Sequence, residues 1–257
     1  MGIITLTTDW GTSDYYLAAV KGSILSMLPG ASIIDISHHI PQYDLSAAAF
    51  TLRNCYRNFP EGSIHIIGVN TEESIETPHV VIHHNNHYFI GCDNGVFSMI
   101  FDNTPTEIVE IEVPQDSDLF TFSTKDRFVK VAIHIMRGGH MDDLGGRRSQ
   151  INSRMLFQPT VSDTSIKGLV LYVDSYGNLI TNISHKLYKQ VSKNRPFEIY
   201  FNAYRIKELH TQYREVDVPE LVALFGSHGF LEIAINQGNA ASLCGMARNS
   251  AVYINFL

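Results

Sequence analysis

The stretch Ile3-Ile4-Thr5-Leu6-Thr7-Thr8-Asp9-Trp10-Gly11 mixes β-branched and apolar residues as far as Thr8 and then breaks into a polar turn ended by glycine. Such a run predicts a strand. Ser13 is placed to cap a helix from about Asp14 to Met27, which Pro29-Gly30 ends. Ser32 to Ile36 reads as a second strand leading to the polar loop Ser37 to Asp44, and Leu45 to Asn58 as a second helix. Ser63 to Val69 is almost wholly apolar, as a strand buried on both faces requires. The β-α-β-α-β order predicts an α/β domain with a mainly parallel sheet.

Downstream, Val80 to Ile82 and Tyr88 to Ile90 flank Asn85-Asn86, a pair that tolerates positive φ and suits a tight hairpin turn. Asp93-Asn94-Gly95 reads as another turn, Val129 to Met136 as a helix, and Gly138 to Arg148 as a loop. From Gly168 the pattern changes to short strands, Leu169 to Val173, Phe197 to Phe201, Leu231 to Ile235 and Ala251 to Phe256. This predicts two domains, an α/β domain over 1–160 and a smaller all-β domain over 166–257. The boundary falls near Pro159 to Ser165, where Pro, Ser, Thr and Asp crowd together.

The chain has 257 residues, 44% hydrophobic and 18% charged, enough to bury a sizeable core. Its formal net charge of -7 repels phosphates and anionic lipid, which disfavours nucleic acid and membrane partners. A charged fraction below the roughly 25% usual for soluble domains points to surface buried against another subunit. Three scattered cysteines, Cys55, Cys92 and Cys244, give neither a disulfide framework nor a thiolate zinc site. With no targeting segment or apolar span in the sequence, a cytoplasmic location is expected. The histidines cluster at His83, His84 and His87 and, with Asp142 and Asp143, at His134 and His140. The first set falls around a surface hairpin turn and the second lacks a ligand spacing, so no metal is predicted.

In an open parallel sheet the ligand crevice lies beyond the carboxyl ends of the strands. Asp9 stands there after the first strand, and so does Asn70-Thr71-Glu72-Glu73 after the third. A carboxylate at position 9 suits a ribose diol, although Asp9 or Asp14 could equally cap the following helix. Later, Asp174-Ser175-Tyr176-Gly177-Asn178 and Gly226-Ser227-His228-Gly229-Phe230 set polar groups and an aromatic ring on glycine-flexed loops. Each can also be a plain turn. The sequence carries no phosphate-binding Gly-Lys-Ser/Thr loop, no Gly-x-Gly-x-x-Gly after the first strand and no Gly-x-Ser-x-Gly elbow.

Taken in order, these residues resemble the S-adenosylmethionine hydroxide adenosyltransferases, relatives of the bacterial fluorinase and chlorinase. The resemblance rests on Thr7-Thr8-Asp9-Trp10-Gly11 with Asp14 and Lys21-Gly22, on Ile36-Ser37-His38 leading to Tyr43-Asp44, and on Asp93-Asn94-Gly95. It continues through Asp174-Ser175-Tyr176-Gly177-Asn178, Thr181-Asn182-Ile183, Gly226 to Ala234 and Asn236 to Ala241. It implies a barrel-like C-terminal domain and a homotrimer, with the nucleoside bound between one subunit's N-terminal domain and its neighbour's C-terminal domain. Asp9 would hold the ribose hydroxyls, Asp14 and Asp174 the methionine amino group, and Tyr43 would line the ribose side. Ser227 and His228 would hold the methionine carboxylate, Tyr176 would stack on adenine, Asn178 would read its polar edge, and Gln237 would add backbone contacts. No cofactor is implied, S-adenosylmethionine being the substrate.

The resemblance breaks where hydrolytic members carry an Asp, an Arg and a His that activate water. Asn70 stands at the Asp position, the Arg position falls near Thr77, and Ser123 replaces the His within Thr121-Phe122-Ser123-Thr124-Lys125-Asp126. Neither an amide nor a hydroxyl takes a proton from water at neutral pH. Three readings follow. The first is hydrolysis to adenosine and methionine with Asn70, Ser123 and Lys125 positioning the water. The second is attack by a halide or other small nucleophile, with Thr124 as a hydroxyl donor. The third is a binder without turnover.

Overall fold

Strand β1, Ile3–Thr8, is central because it pairs parallel with two neighbours, β2 (Ser32–Ser37) and β3 (Ile64–Gly68). Its Ile4 and Leu6 are fully buried against Val20 and Ile24 of α1 (Tyr16–Met27) and the apolar face of a later helix. Its other face carries Thr5 and Thr7, also fully buried, on the side where α2 (Leu45–Arg53) touches β1 and β2. A hairpin follows, β4 (His79–His84) and β5 (His87–Cys92), turning on Asn85 and Asn86 at φ 51° and 62°. Consecutive positive φ values are what the hairpin twist demands and asparagine tolerates.

The hairpin also changes the character of the sheet. β5 joins β3 in parallel, so β4 runs antiparallel to it and then accepts β6 (Glu107–Glu110) antiparallel as well. The order is β2-β1-β3-β5-β4-β6, and because only β4 runs against the other strands the sheet is mainly parallel, as expected, with a mixed edge at β5, β4 and β6. Between β5 and β6 runs the short helix α3 (Val96–Ile100), entered through Gly95 at φ 96°. A wide turn over Thr124–Phe128 then runs directly into α4 (Val129–Met136), whose Val129, Val131 and Ala132 complete the core over Ile4 and Leu6.

Four expectations are corrected. α1 begins at Tyr16 behind Tyr15, without a side-chain cap, so neither Ser13 nor Asp14 caps it. The second helix stops at Arg53, followed by a single 3-10 turn, Tyr56–Asn58. The segment Gly138 to Arg148 contains a 3-10 turn, Met141–Leu144, and Arg147 bridges to Val109 of β6. His87 is buried against His65 and not solvated, because β5 carries it inward beside β3.

The chain divides into two compact units, residues 1–155 and 156–257, and the computed structural model describes residues 2–115, 121–154 and 158–257. The second unit opens with β7 (Thr160–Val161), β8 (Ser165–Val173) and β9 (Leu179–Ser184), then the helix α5 (His185–Ser192). Next come β10 (Phe197–Phe201), β11 (Tyr204–Ile206), β12 (Leu221–Phe225) and β13 (Phe230–Ile235). The helix α6 (Ala240–Cys244) and β14 (Ala251–Phe256) finish it. The order is β11-β10-β14-β8-β9-β13-β12, with β7 on β8. A bridge from His210 to Leu224 brings the chain after β11 onto β12, so the antiparallel sheet nearly closes. Ile166, Val170, Leu179, Ile199, Ile233 and Ile254 fill its interior. The helices α5 and α6 correct the all-β expectation for this unit.

Beneath α2, His65 of β3 meets Thr5 Oγ1 through Nδ1 at 2.7 Å and His87 Nδ1 through Nε2 at 3.3 Å. Burial, reinforced by repulsion from His87, lowers its pKa from 6.5 to about 3. The folded chain therefore holds His65 neutral while the unfolded chain binds a proton below about pH 6.5, so this stability is complete above 6.5 and lost as the pH falls toward 3. His79 and His87 shift in the same direction, again chiefly through burial. Calorimetric melting between pH 7 and pH 4 should show a fall in Tm that is shallower in His65→Gln. The difference should be at most about 3 kcal/mol, and equal slopes would mean that this buried histidine does not couple to unfolding.

Candidate functional site

At the carboxyl ends of β1 and β3 the first unit forms a cleft of about 380 Å³, whose lining includes Asp9, Asp14, Tyr43, Asn70 and Glu72. The loops around it are tied together locally. The Gly11 amide donates to the His38 carbonyl at 2.7 Å, Thr8 Oγ1 lies 2.8 Å from His38 Nδ1, and the Tyr43 amide donates to Asp9 Oδ2 at 2.9 Å. Asp44 accepts from the Ser46 and Ala47 amides and so caps α2, which fixes the end of the same loop. Tyr43 sits at φ 61° with its ring largely exposed. One wall is aromatic. Trp10 meets Phe122 edge-on at 5.3 Å, Phe122 meets Tyr16 at 5.3 Å, and the Trp10 ring lies where a side chain on Gly68 would be.

Asp9 is the carboxylate most affected by this enclosure. Burial raises its carboxyl above the ordinary value, against the opposing pull of the Tyr43 amide. Asp14 lies in the same lining, exposed at the foot of α1. Asn70, in the left-handed region at φ 47°, gives its carbonyl to Asn94 Nδ2 at 2.8 Å. That bond accounts for the Asp93-Asn94-Gly95 motif, and Asp93 in turn accepts the Asn152 amide.

The three groups expected to handle water are not brought together. Asn70 lines the cleft, but Ser123 is buried and accepts from Gln115 Nε2 at 3.2 Å, and Lys125 pairs with Asp126 at 2.8 Å. Thr77 bonds Ser74 across a turn. A guanidinium does reach this region, from a residue the sequence reading did not single out. Arg127 donates to Glu73 at 2.6 Å and to His79 Nδ1 at 2.9 Å, and His79 Nε2 donates to the Thr71 carbonyl at 2.8 Å. Burial works to raise Glu73, yet Arg127 and His79 hold its carboxyl below the ordinary value. His79 is fully buried, so the trio braces the 71–73 backbone from behind.

The second unit has a cavity of about 730 Å³ lined by Asp174, Tyr176, Asn178, Tyr213 and Asn236 to Gly238. Its size falls in the range of small-molecule sites. Asp174 organises one side. Its Oδ1 accepts the Tyr176 and Asn178 amides and its Oδ2 the Asn178 side-chain amide, each at 2.9 Å. Gly177 turns at φ 81° against Asn239, whose side chain would collide with any Cβ there, and Asn239 itself caps α6. Tyr176 is thrown outward, 77% exposed, and Gln237 adopts φ 57°.

Ser227 and His228 lie outside that lining. His228 accepts the Phe230 amide at Nδ1 and faces Glu232 Oε2 at 3.1 Å through Nε2, while Glu232 also accepts from Tyr213 at 2.7 Å. The imidazole is thereby engaged within its own unit, as are the Gly226 and Gly229 amides, which donate to the Phe230 and Gly226 carbonyls. Gly226 is required above this group, since a Cβ would stand 2.5 Å from His228 Nε2. Among the described residues no group of three or more His, Cys, Asp or Glu is arranged to hold a metal ion. Nor is any of their helices long and apolar enough to cross a membrane.

The N-terminal domain of the SAM hydroxide adenosyltransferases matches residues 4–145, and the C-terminal domain of the same family matches residues 168–253. The chain belongs to this family. Relatives of the SAM hydroxide adenosyltransferase chain include a Methanocaldococcus jannaschii protein named (R)-S-adenosyl-L-methionine hydrolase, 29% identical over 95% of this chain and 92% of its own. A Thermus thermophilus protein of the same name is 26% identical over 95% and 96%. In structure, an uncharacterized conserved protein from Thermotoga maritima superposes with a TM-score of 0.89 at 28% identity, covering 98% of this chain and all of its own.

The enclosure of Asp9 has a measurable cost to this adenosyltransferase scaffold. A carboxyl whose folded pKa is raised destabilises the fold once ionised, so Asp9→Asn should raise Tm at pH 7 by a degree or two. At pH 3, where the carboxyl is protonated in both states, the gain should vanish. Thermal melts at the two pH values check this, and an unchanged or lower Tm at pH 7 would refute the strain.

Proposed function

We propose that the protein is an S-adenosyl-L-methionine hydrolase that forms adenosine and L-methionine by displacement at the ribose 5′ carbon. The observation that carries this reading is the 29% identity, across 95% of the chain, to a protein named (R)-S-adenosyl-L-methionine hydrolase. The two clefts support it. In the first, Asp9 and Tyr43 stand beside an aromatic wall of Trp10, Tyr16 and Phe122. In the second, Tyr176, Asn178, Asp174 and Gln237 share one cavity.

In this reaction the sulfonium is already a good leaving group, so the protein's contribution is alignment and exclusion of bulk water. Asp9 accepts both ribose hydroxyls and fixes the sugar, with Tyr43 over its side. Asp14 and Asp174 hold the methionine ammonium, and Ser227 with the backbone amides beside it takes the carboxylate. Tyr176 stacks on the purine. The Asn178 amide nitrogen is given to Asp174, so its carbonyl oxygen is the atom offered to the exocyclic amine. Ser123 and Lys125, engaged by Gln115 and Asp126, take no direct part in this reading.

The reading includes a cytoplasmic homotrimer in which each site is shared by two subunits, and mass photometry giving three chains per particle is the expected result. Incubation with S-adenosylmethionine, with and without chloride, should release adenosine and methionine in equal amounts, read by chromatography. A 5′-chloro product would point to halide attack, and bound ligand without product to a binder. Asp9→Ala should weaken adenosine binding more than tenfold, because two hydrogen bonds to a charged group, at about 1.5 to 3 kcal/mol each, are lost. Undiminished affinity by calorimetry would remove Asp9 from the ribose site.

A further inference from the structure

Hydrolysis in this cleft needs a proton acceptor, and the amide of Asn70 in its lining cannot serve as one. We propose that Glu72 is that acceptor, the general base for the attacking water; the inference rests on the hydrolase reading. Glu72 lines the same cleft as Asn70, Thr71 and Asp9. The other two carboxylates of that lining have work to do in the reading above, Asp9 on the ribose diol and Asp14 on the ammonium. Glu73, the neighbouring carboxylate, is held by Arg127 at 2.6 Å.

The backbone that carries Glu72 is fixed at four consecutive residues. The carbonyls of Asn70, Thr71 and Glu72 accept from Asn94, His79 and Cys92, and Glu73 is tied through its side chain to Arg127. Three of these partners come from β4, β5 and the turn after β5, the fourth from the turn before α4. A base must be held within reach of its proton, and a braced loop does this where a free one cannot. A carboxylate, a guanidinium and an imidazole, Glu73, Arg127 and His79, are bonded together behind the loop, with His79 fully buried. Those three are positioning residues, and Glu72 on the cleft side is the residue that meets water.

The step balances without any co-reactant. Water attacks the ribose 5′ carbon opposite the sulfonium while its proton passes to the Glu72 carboxylate. The new C–O bond gives the 5′ hydroxyl of adenosine, the C–S bond breaks, and its electron pair remains on sulfur as the methionine thioether. Glu72 then releases the proton to solvent.

The test compares wild type, Glu72→Gln and Glu72→Asp in the full chain, measuring adenosine release at saturating S-adenosylmethionine across pH 4 to 9 and adenosine affinity by calorimetry. Glu72→Gln should lower kcat by about a hundredfold and abolish its acidic limb, with affinity unchanged within about twofold. Glu72→Asp keeps a carboxylate and should retain that limb with a kcat within about tenfold of wild type. Were Glu72→Gln to fold poorly, the aspartate variant alone decides, because a limb lost in it would overturn the proposal. If wild type turns over and Glu72→Gln matches it, this assignment fails and hydrolysis stands. If wild type binds adenosine but forms no product, the hydrolase reading fails and Glu72 falls with it.

Discussion

The parallel register of β1 between β2 and β3 is the constraint on which the first unit depends. It sends three chain reversals to the same end of the sheet, so Asp9, the Ser37 to Asp44 loop and the Asn70 to Ser74 segment become neighbours although they are far apart in sequence. Burying Ile4 and Leu6 under α1 and α4 fixes the face that β1 presents, because a slip of one residue would turn these side chains outward. Once that register is set, the short bonds between Gly11 and His38 and between Tyr43 and Asp9 form without further adjustment.

The second unit solves the same problem differently. In its antiparallel sheet a single carboxylate, Asp174, arranges a loop by accepting three hydrogen bonds. Three bonds leave Oδ2 with spare accepting capacity. A buried carboxylate, Glu232, holds Tyr213 on the cavity wall and His228 on the glycine loop at once. Glycine is needed at 177 and 226 for close approach, not for freedom alone.

Behind the Asn70 to Ser74 segment the chain gathers a carboxylate, a guanidinium and an imidazole that are far apart in sequence. A guanidinium arrives from the turn before α4 and an imidazole from the first residue of β4. Burial keeps that imidazole neutral, which lets it accept from Arg127 at one nitrogen and donate to the Thr71 carbonyl at the other. Such a network stiffens a loop and leaves the chemistry to whatever the loop presents.

The sequence by itself determined β1 to its end at Thr8, the Asn85-Asn86 turn, α4 over Val129–Met136 and the strands Phe197–Phe201 and Ala251–Phe256, since local propensity and periodicity suffice for these. It also carried the motifs whose order along the chain marks the family. What only the tertiary structure decided was long-range. β6 and the two antiparallel pairings of β4 depend on where the hairpin docks, and the start of α1 depends on the Trp10, Tyr16 and Phe122 cluster more than on a capping serine. His87 looked exposed because a turn precedes it, and burial came from β3 beside it. The partnership of Arg127 with Glu73 and His79 spans some fifty residues, and no local pattern announces it. Hydrogen bonds and burial are set by neighbours in space, whereas sequence patterns report only neighbours along the chain.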